Sequence, residues 1–197
     1  MTEIETEITV KLKWDLDETK INFVNKGISL TESFVLKDIY LVKKEVDIHI
    51  TPNLEVLSQS VIIREIVGTK IERYIIYKDK KYDDKCNVIS SAKYSCLIID
   101  AQEMYDFLIA IGYKECFRYE QECLAYNDEN RNILLQYIPE LGLFAELEDN
   151  NKSIEELKND LNNIGIPYYE DDYFVKKASL MLDLTRKKKR WKYGRKE

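Results

Sequence analysis

The sequence predicts an α+β fold rich in antiparallel strands, on three observations. Several segments alternate apolar and polar residues with period two, which puts one apolar face on a strand. Capped amphipathic segments mark helices between them. The strands and helices follow no regular βαβ rhythm, so a parallel sheet is not expected.

The first strand spans 5–14. Ile8, Val10, Leu12 and Trp14 alternate with Glu7, Thr9, Lys11 and Lys13. A short helical segment follows at about 17–26. Further strands are expected at 34–43, 61–67, 72–80 and 94–99. A helix opens at Asp100, where Glu103 completes a capping box; Met104, Phe107, Leu108 and Ile111 form its apolar stripe, and Gly112 stops it. Strands at 115–126 and 132–138 flank the turn-rich 127–131, and 141–148 alternates again. Ser153 with Glu156 opens another helix, which ends at Gly165 ahead of Pro167. A last helix is expected to begin near Asp171 or Asp172 and to run into a basic tail.

Composition narrows the function classes. The chain has 197 residues, 45% hydrophobic and 34% charged, enough for a buried core. No apolar run is long enough to span a bilayer, and no apolar signal segment opens the chain. Four cysteines without a C-x-x-C pair are expected as free, mostly buried thiols of a reducing cytoplasm. The single His49 supports neither a multi-histidine metal site nor a His-based triad, and is expected on the surface.

Charge is unevenly placed. Residues 1–185 carry a net −13 and are expected to form one domain; 186–197 carry +7 as a basic tail. A body this acidic is a poor general binder of nucleic acid, so any polyanion must be met by a local basic cluster. The tail, with Trp191 and Tyr193, can contact anionic lipid or RNA, or pack back on the acidic body in cis or in a homodimer. The plainer alternative is a solvated helix end whose cations suit the helix dipole.

Charged residues alternate with apolar ones on several strands. One solvated sheet face explains any single strand. Taken together they suit a closed barrel with a charged interior, its apolar outer face covered by helices. Such an interior is costly unless filled. Inward Lys and Arg would cradle a triphosphate, and inward Glu would hold Mg2+ or Mn2+.

A set of motifs in order extends over roughly 3–182. Glu7-Ile8-Thr9-Val10-Lys11-Leu12-Lys13 resembles the E-x-E-x-K strand that opens the CYTH superfamily, the triphosphate tunnel metalloenzymes. Asp38-Ile39-Tyr40 is similar to its D-x-Y, Ile62-Ile63-Arg64-Glu65-Ile66 to its A-L-R-I-R, and Ile76-Tyr77-Lys78 to its T-x-K. Leu141-Gly142-Leu143-Phe144-Ala145-Glu146-Leu147-Glu148 resembles its L-G-x-F-x-E-I-E. Asp100 to Gly112 resembles its D-x-x-x-(helix)-L-G-(aromatic) segment, and the helix after Glu148 together with Tyr173 fits the class IV adenylyl cyclase-like branch.

The resemblance implies a tunnel of about eight antiparallel strands. It implies metal on Glu7, Glu146 and Glu148, phosphate on Lys11, Lys13, Arg64 and Lys78, and catalysis through Glu7, Lys11 and Glu146. The implied activity is cyclisation of ATP to cyclic AMP and pyrophosphate, or triphosphate hydrolysis, with Mg2+ or Mn2+.

The motif set is also degenerate. Thr9 replaces the second glutamate, Ile66 the second arginine, and Ser91, Lys93 and Ser95 an Arg and two Glu. Gln121 and Cys123 replace a K-x-R pair, and Gln136 an aspartate. Loss of acids weakens metal binding first, since two-metal chemistry needs carboxylates to fix both ions. The alternative reading is therefore a sensor or interaction module that binds a nucleotide or polyphosphate without turnover. Bland roles stand beside the sharp ones: Lys11, Lys13 and Lys78 as solvated strand residues, Arg64 as an arginine paired with Glu146 or Glu148, and Glu146 and Glu148 on an edge. A lipocalin-like barrel is disfavoured, because Lys11 and Arg64 lie on the charged faces of their strands.

Overall fold

A computed structural model describes residues 6–82, 88–128, 131–149, 151–169, 173 and 175–193. Its elements run β1 (Glu7–Lys11), α1 (Leu16–Asn25), β2 (Ser29–Lys43), α2 (Asn53–Ser58), β3 (Val61–Val67), β4 (Ile71–Tyr82) and β5 (Val88–Leu97). They continue with α3 (Ala101–Ala110), β6 (Tyr113–Asp128), β7 (Arg131–Ile138), β8 (Gly142–Glu148), α4 (Ile154–Ile164) and α5 (Lys177–Tyr193). The α+β class holds. The sheet has eight strands in the order β1-β8-β7-β6-β2-β3-β4-β5.

The expected closure does not. The order is a line whose two ends are β1 and β5. The outer edge of β1 is already occupied by the chain that follows α4. The Lys13 N–H donates to the Pro167 carbonyl at 2.9 Å, Tyr169 N–H to Lys11 O at 3.0 Å, Thr9 N–H to Tyr173 O at 2.9 Å and Val175 N–H to Thr9 O at 3.1 Å. Backbone groups that a closing strand would need are satisfied by this strap. The same bonds move the last helix: it begins at Lys177 because residues up to Val175 are held along β1. The expected starts at Asp171 and Asp172 lie outside the described residues.

The chain divides into two compact units, residues 3–35 with 121–176 and residues 36–120 with 177–197. In the first, one sheet face carries Ile8, Val10, Leu12, Leu124, Ile133, Leu135 and Leu147, all buried. It packs against Phe23 of α1 and Leu157, Leu161 and Ile164 of α4. Local signals place both helices. Asp15 and Glu18 make a capping box that starts α1, and Ser153 and Glu156 make the one that starts α4. Gly165 ends α4 at φ +68°, a conformation that costs a residue with a Cβ.

In the second unit, α3 covers the other kind of face. Leu108 packs on Leu41 and Ile63, with Met104, Ile75 and Ile39 around them. Asp100 caps α3 by accepting from the Glu103 N–H at 2.8 Å. Helix α5 is fixed to α2 and the loop before it. Arg186 donates to the carbonyls of Ile48 and Thr51 (2.6 and 2.7 Å) and to Asn53 Oδ1 (2.5 Å). Asn53 Nδ2 in turn donates to Ser179 Oγ and Asp183 Oδ1. His49 is exposed, as expected. Cys116 and Cys123 are buried free thiols and Cys96 is an exposed one; Cys86 lies outside the described residues. Among the described residues, no helix is long and apolar enough to cross a membrane.

Candidate functional site

The strand pairing fixes which side chains share a face. On β1 and β8, Glu7 stands opposite Glu148, Thr9 opposite Glu146 and Lys11 opposite Phe144. On β8 and β7, Glu146 meets Leu134 and Phe144 meets Gln136; on β7 and β6, Gln136 meets Cys123. Because opposed residues point to the same side, one face of the first unit is built in rows. Glu7 and Glu148 form one, Thr9 and Glu146 the next, and Lys11, Phe144, Gln136 and Cys123 a third. Acid sits at one end and base at the other, over about 13 Å from residue 7 to residue 11. This is the face away from the apolar core. Its centre is nevertheless shielded: Thr9, Gln121 and Gln136 are buried.

Lys11 and Lys13 are the sharpest feature. Lys11 is half-buried and Lys13 exposed, and neither makes an ion pair among the described residues. Both ammonium groups instead lie by one aromatic ring, Tyr169, at 6.0 and 5.4 Å from its centroid. Each such contact is worth about 0.5–1 kcal/mol at an exposed site, less than a good anion would offer. The Lys11 stem passes the Gly142 backbone: a Cβ added to Gly142, whose φ is +97°, would lie 3.7 Å from Lys11 Cε. Two cations held beside a ring, in a chain of net charge −6, form a ready acceptor for a polyanion.

The carboxylates expected to hold metal are placed differently from that expectation. Glu7, Glu146 and Glu148 do share the face, but no group of three or more His, Cys, Asp or Glu is arranged to hold a metal ion among the described residues. Glu7 Oε1 accepts from Thr9 Oγ1 at 3.0 Å, so the residue that replaced an acid now occupies a remaining one. Glu148 is exposed. The described residues do not form a preformed Mg2+ or Mn2+ site.

In the second unit, Arg64 and Lys78 share the face of β3 and β4 opposite to the one α3 covers, as their registers with Tyr74 and Lys93 require. Arg64 is paired, and with neither Glu146 nor Glu148. It donates Nε to Asp38 Oδ1 at 2.8 Å and Nη2 to Asp38 Oδ2 at 2.6 Å. Asp38 is fully buried. Tyr40 stacks on Phe117 at 4.5 Å and lies 6.1 Å from Tyr119. Burial, and then the Asp38 carboxylate, push the Tyr40 hydroxyl well above its ordinary range; burial raises Tyr119 likewise. Arg64 is held charged by its hydrogen bonds and attraction to Asp38, which outweigh its burial. Lys78 is half-buried with Lys93 directly opposite, a like-charge pairing on one face.

Two participants escape the motif reading. Asp38 belongs to a matched motif, but its claim on Arg64 spans 26 residues and has no local signature. Tyr169 lies in a segment with neither helical nor strand period; its place follows from the strap's bonds to β1.

No protein-family model matches the sequence, and no curated protein is significantly similar to it. Solved structures share its fold. PH1819 of Pyrococcus horikoshii OT3 superposes with a TM-score of 0.66 at 21% identity, covering 93% of this chain and 99% of that one. A candidate adenylate cyclase of Vibrio parahaemolyticus gives 0.61 at 14% identity, covering 93% and 99%. A candidate adenylyl cyclase of Hippeastrum whose dominant activity is that of a triphosphatase gives 0.63 at 12% identity, covering 91% and 96%.

Proposed function

We propose that this chain is a CYTH-type protein whose first task is to bind a triphosphate-bearing anion, ATP or another triphosphate or polyphosphate. The observation that carries this is the Lys11–Lys13 pair, two cations without a carboxylate partner among the described residues, on the face that also bears Glu7, Glu146 and Glu148. The shared fold with a triphosphatase and a candidate cyclase supports it. Charge-assisted hydrogen bonds from the two ammonium groups would hold the terminal phosphates. Arg64 keeps Nη1 outside its pair with Asp38, and Lys78 is the further cation of the set. With Thr9 tying up Glu7, the chain acts as a binding module, a sensor of its ligand, in a reducing cytoplasmic compartment. Residues 1–185 form one CYTH-like domain and 186–197 a basic tail in this reading.

Turnover, as a cyclase or a triphosphatase, is the second reading. Glu146 favours it: the carboxylate stands one row, about 7 Å, from Lys11 on the same face. Glu7, Lys11 and Glu146 are then the catalytic set, with Glu148 joining Glu7 and Glu146 only if added metal draws them together.

Calorimetric titration of the purified chain with inorganic triphosphate and with ATP, with and without Mg2+ or Mn2+, tests both. Saturable binding should weaken at least tenfold in Lys11→Ala/Lys13→Ala and fall with added salt. Unchanged affinity in that double variant would sink the assignment. Products that form with metal and vanish in Glu146→Ala would establish turnover.

A further inference from the structure

Among the described residues of the polar face, Gln121 has a side chain that is both enclosed and unanswered. It is 3% exposed. Its Oε1 is buried without a hydrogen-bond partner, and no described residue bonds its amide. Leaving such an acceptor unmet costs more than most single contacts return. Gln121 lies on β6 two residues before Cys123, so it points to the face that carries Cys123, Gln136, Phe144 and Lys11. Its strand is three strand spacings from β1, about 14 Å.

We infer that Gln121 recognises the base of a nucleoside triphosphate. The inference rests on the anion-binding role of Lys11 and Lys13 and adds the chemical class of what they hold. Phosphate oxygens at neutral pH are acceptors, so they cannot satisfy a buried carbonyl oxygen. Inorganic triphosphate and polyphosphate therefore leave Oε1 unmet. A carboxamide with both its N–H and its C=O open matches a planar edge that places a donor next to an acceptor, which every nucleobase has. The span from Gln121 to the lysine pair suits a ligand with a base at one end and phosphates at the other. The row that joins the two ends, Cys123, Gln136 and Phe144, is uncharged, and the acid of this face, Glu146, stands one row further from Gln121, opposite Thr9.

The test titrates the full chain with ATP, GTP, CTP, UTP and inorganic triphosphate, wild type against Gln121→Leu. Leucine fills the space and removes the unmet amide, so the ligand-free protein should melt at the same temperature or higher. At least one nucleotide should bind wild type about tenfold tighter than inorganic triphosphate, the return of one bidentate base contact. Gln121→Leu should erase that margin and leave inorganic triphosphate affinity unchanged. Equal binding of all five ligands by wild type overturns the inference while sparing the anion site. So does a variant that weakens all ligands alike. Failure of wild type to bind any of them sinks both.

Discussion

Replacing Asp38 with alanine should be among the most damaging single changes available in this protein. The carboxylate is fully buried and takes two bonds from Arg64, at 2.8 and 2.6 Å, while the Arg64 side chain keeps about a fifth of its surface exposed. Removing one partner of a buried pair strands the other charge and costs about 3–5 kcal/mol. Residual solvent contact at Arg64 argues for the lower end, about 3 kcal/mol. With a urea dependence of about 2 kcal/mol per molar, the unfolding midpoint should drop by about 1.5 M. Replacing both partners, Asp38→Leu with Arg64→Met, should restore most of the loss, because no bare charge then remains. Urea titrations followed by circular dichroism, closed into a double-variant cycle, measure this. A loss below about 1 kcal/mol for Asp38→Ala, with triphosphate affinity rising as Arg64 is released, would show that Arg64 serves ligand and that its pairing with Asp38 is incidental.

Two further outcomes follow from local chemistry. Tyr40 and Tyr119 keep their protons in the folded state above the pH, about 10, at which an unfolded chain releases them. Their folded values are raised, so their contribution is complete below about pH 10 and is lost as pH climbs beyond it; the urea midpoint should decline between pH 10 and 11, less steeply in Tyr40→Phe. Gly165→Ala should cost about 1–2 kcal/mol because φ is +68° there, whereas Gly165→Asn should be milder; the nearest atom to an added Cβ, the Lys26 ammonium nitrogen at 3.2 Å, can move aside. Thermal melts separate the two variants.

The sequence made the strand faces legible because burial follows period two wherever one face is covered. Ile8, Val10 and Leu12 are buried as alternation requires, whereas Thr9 on the opposite face is buried too, which alternation does not foretell. The Ser153–Glu156 box and Gly165 were equally readable, since capping is decided within four residues. The short helix α2 was not: Pro52 supplies no side-chain cap, and Asn53 serves α5 and Arg186 instead. Barrel closure failed for a related reason. Alternation tells which face of β1 is buried, but not that a segment some 160 residues later lies along its edge. The site divides the same way. Membership of a face was legible for Lys11, Glu146 and Glu148, whereas the partners of Arg64 and Glu7 depended on contacts that periodicity does not encode.

The three-pronged grip of Arg186 on the 48–53 loop has a practical corollary for anyone trimming the C-terminus. The first cation of the basic run is a bolt, and it is withdrawn from the charge that the remainder presents. A deletion beginning at 186 would unlatch helix α5 from its seat and confuse loss of anchorage with loss of positive potential. One beginning at 187 keeps the bolt home and isolates the charge.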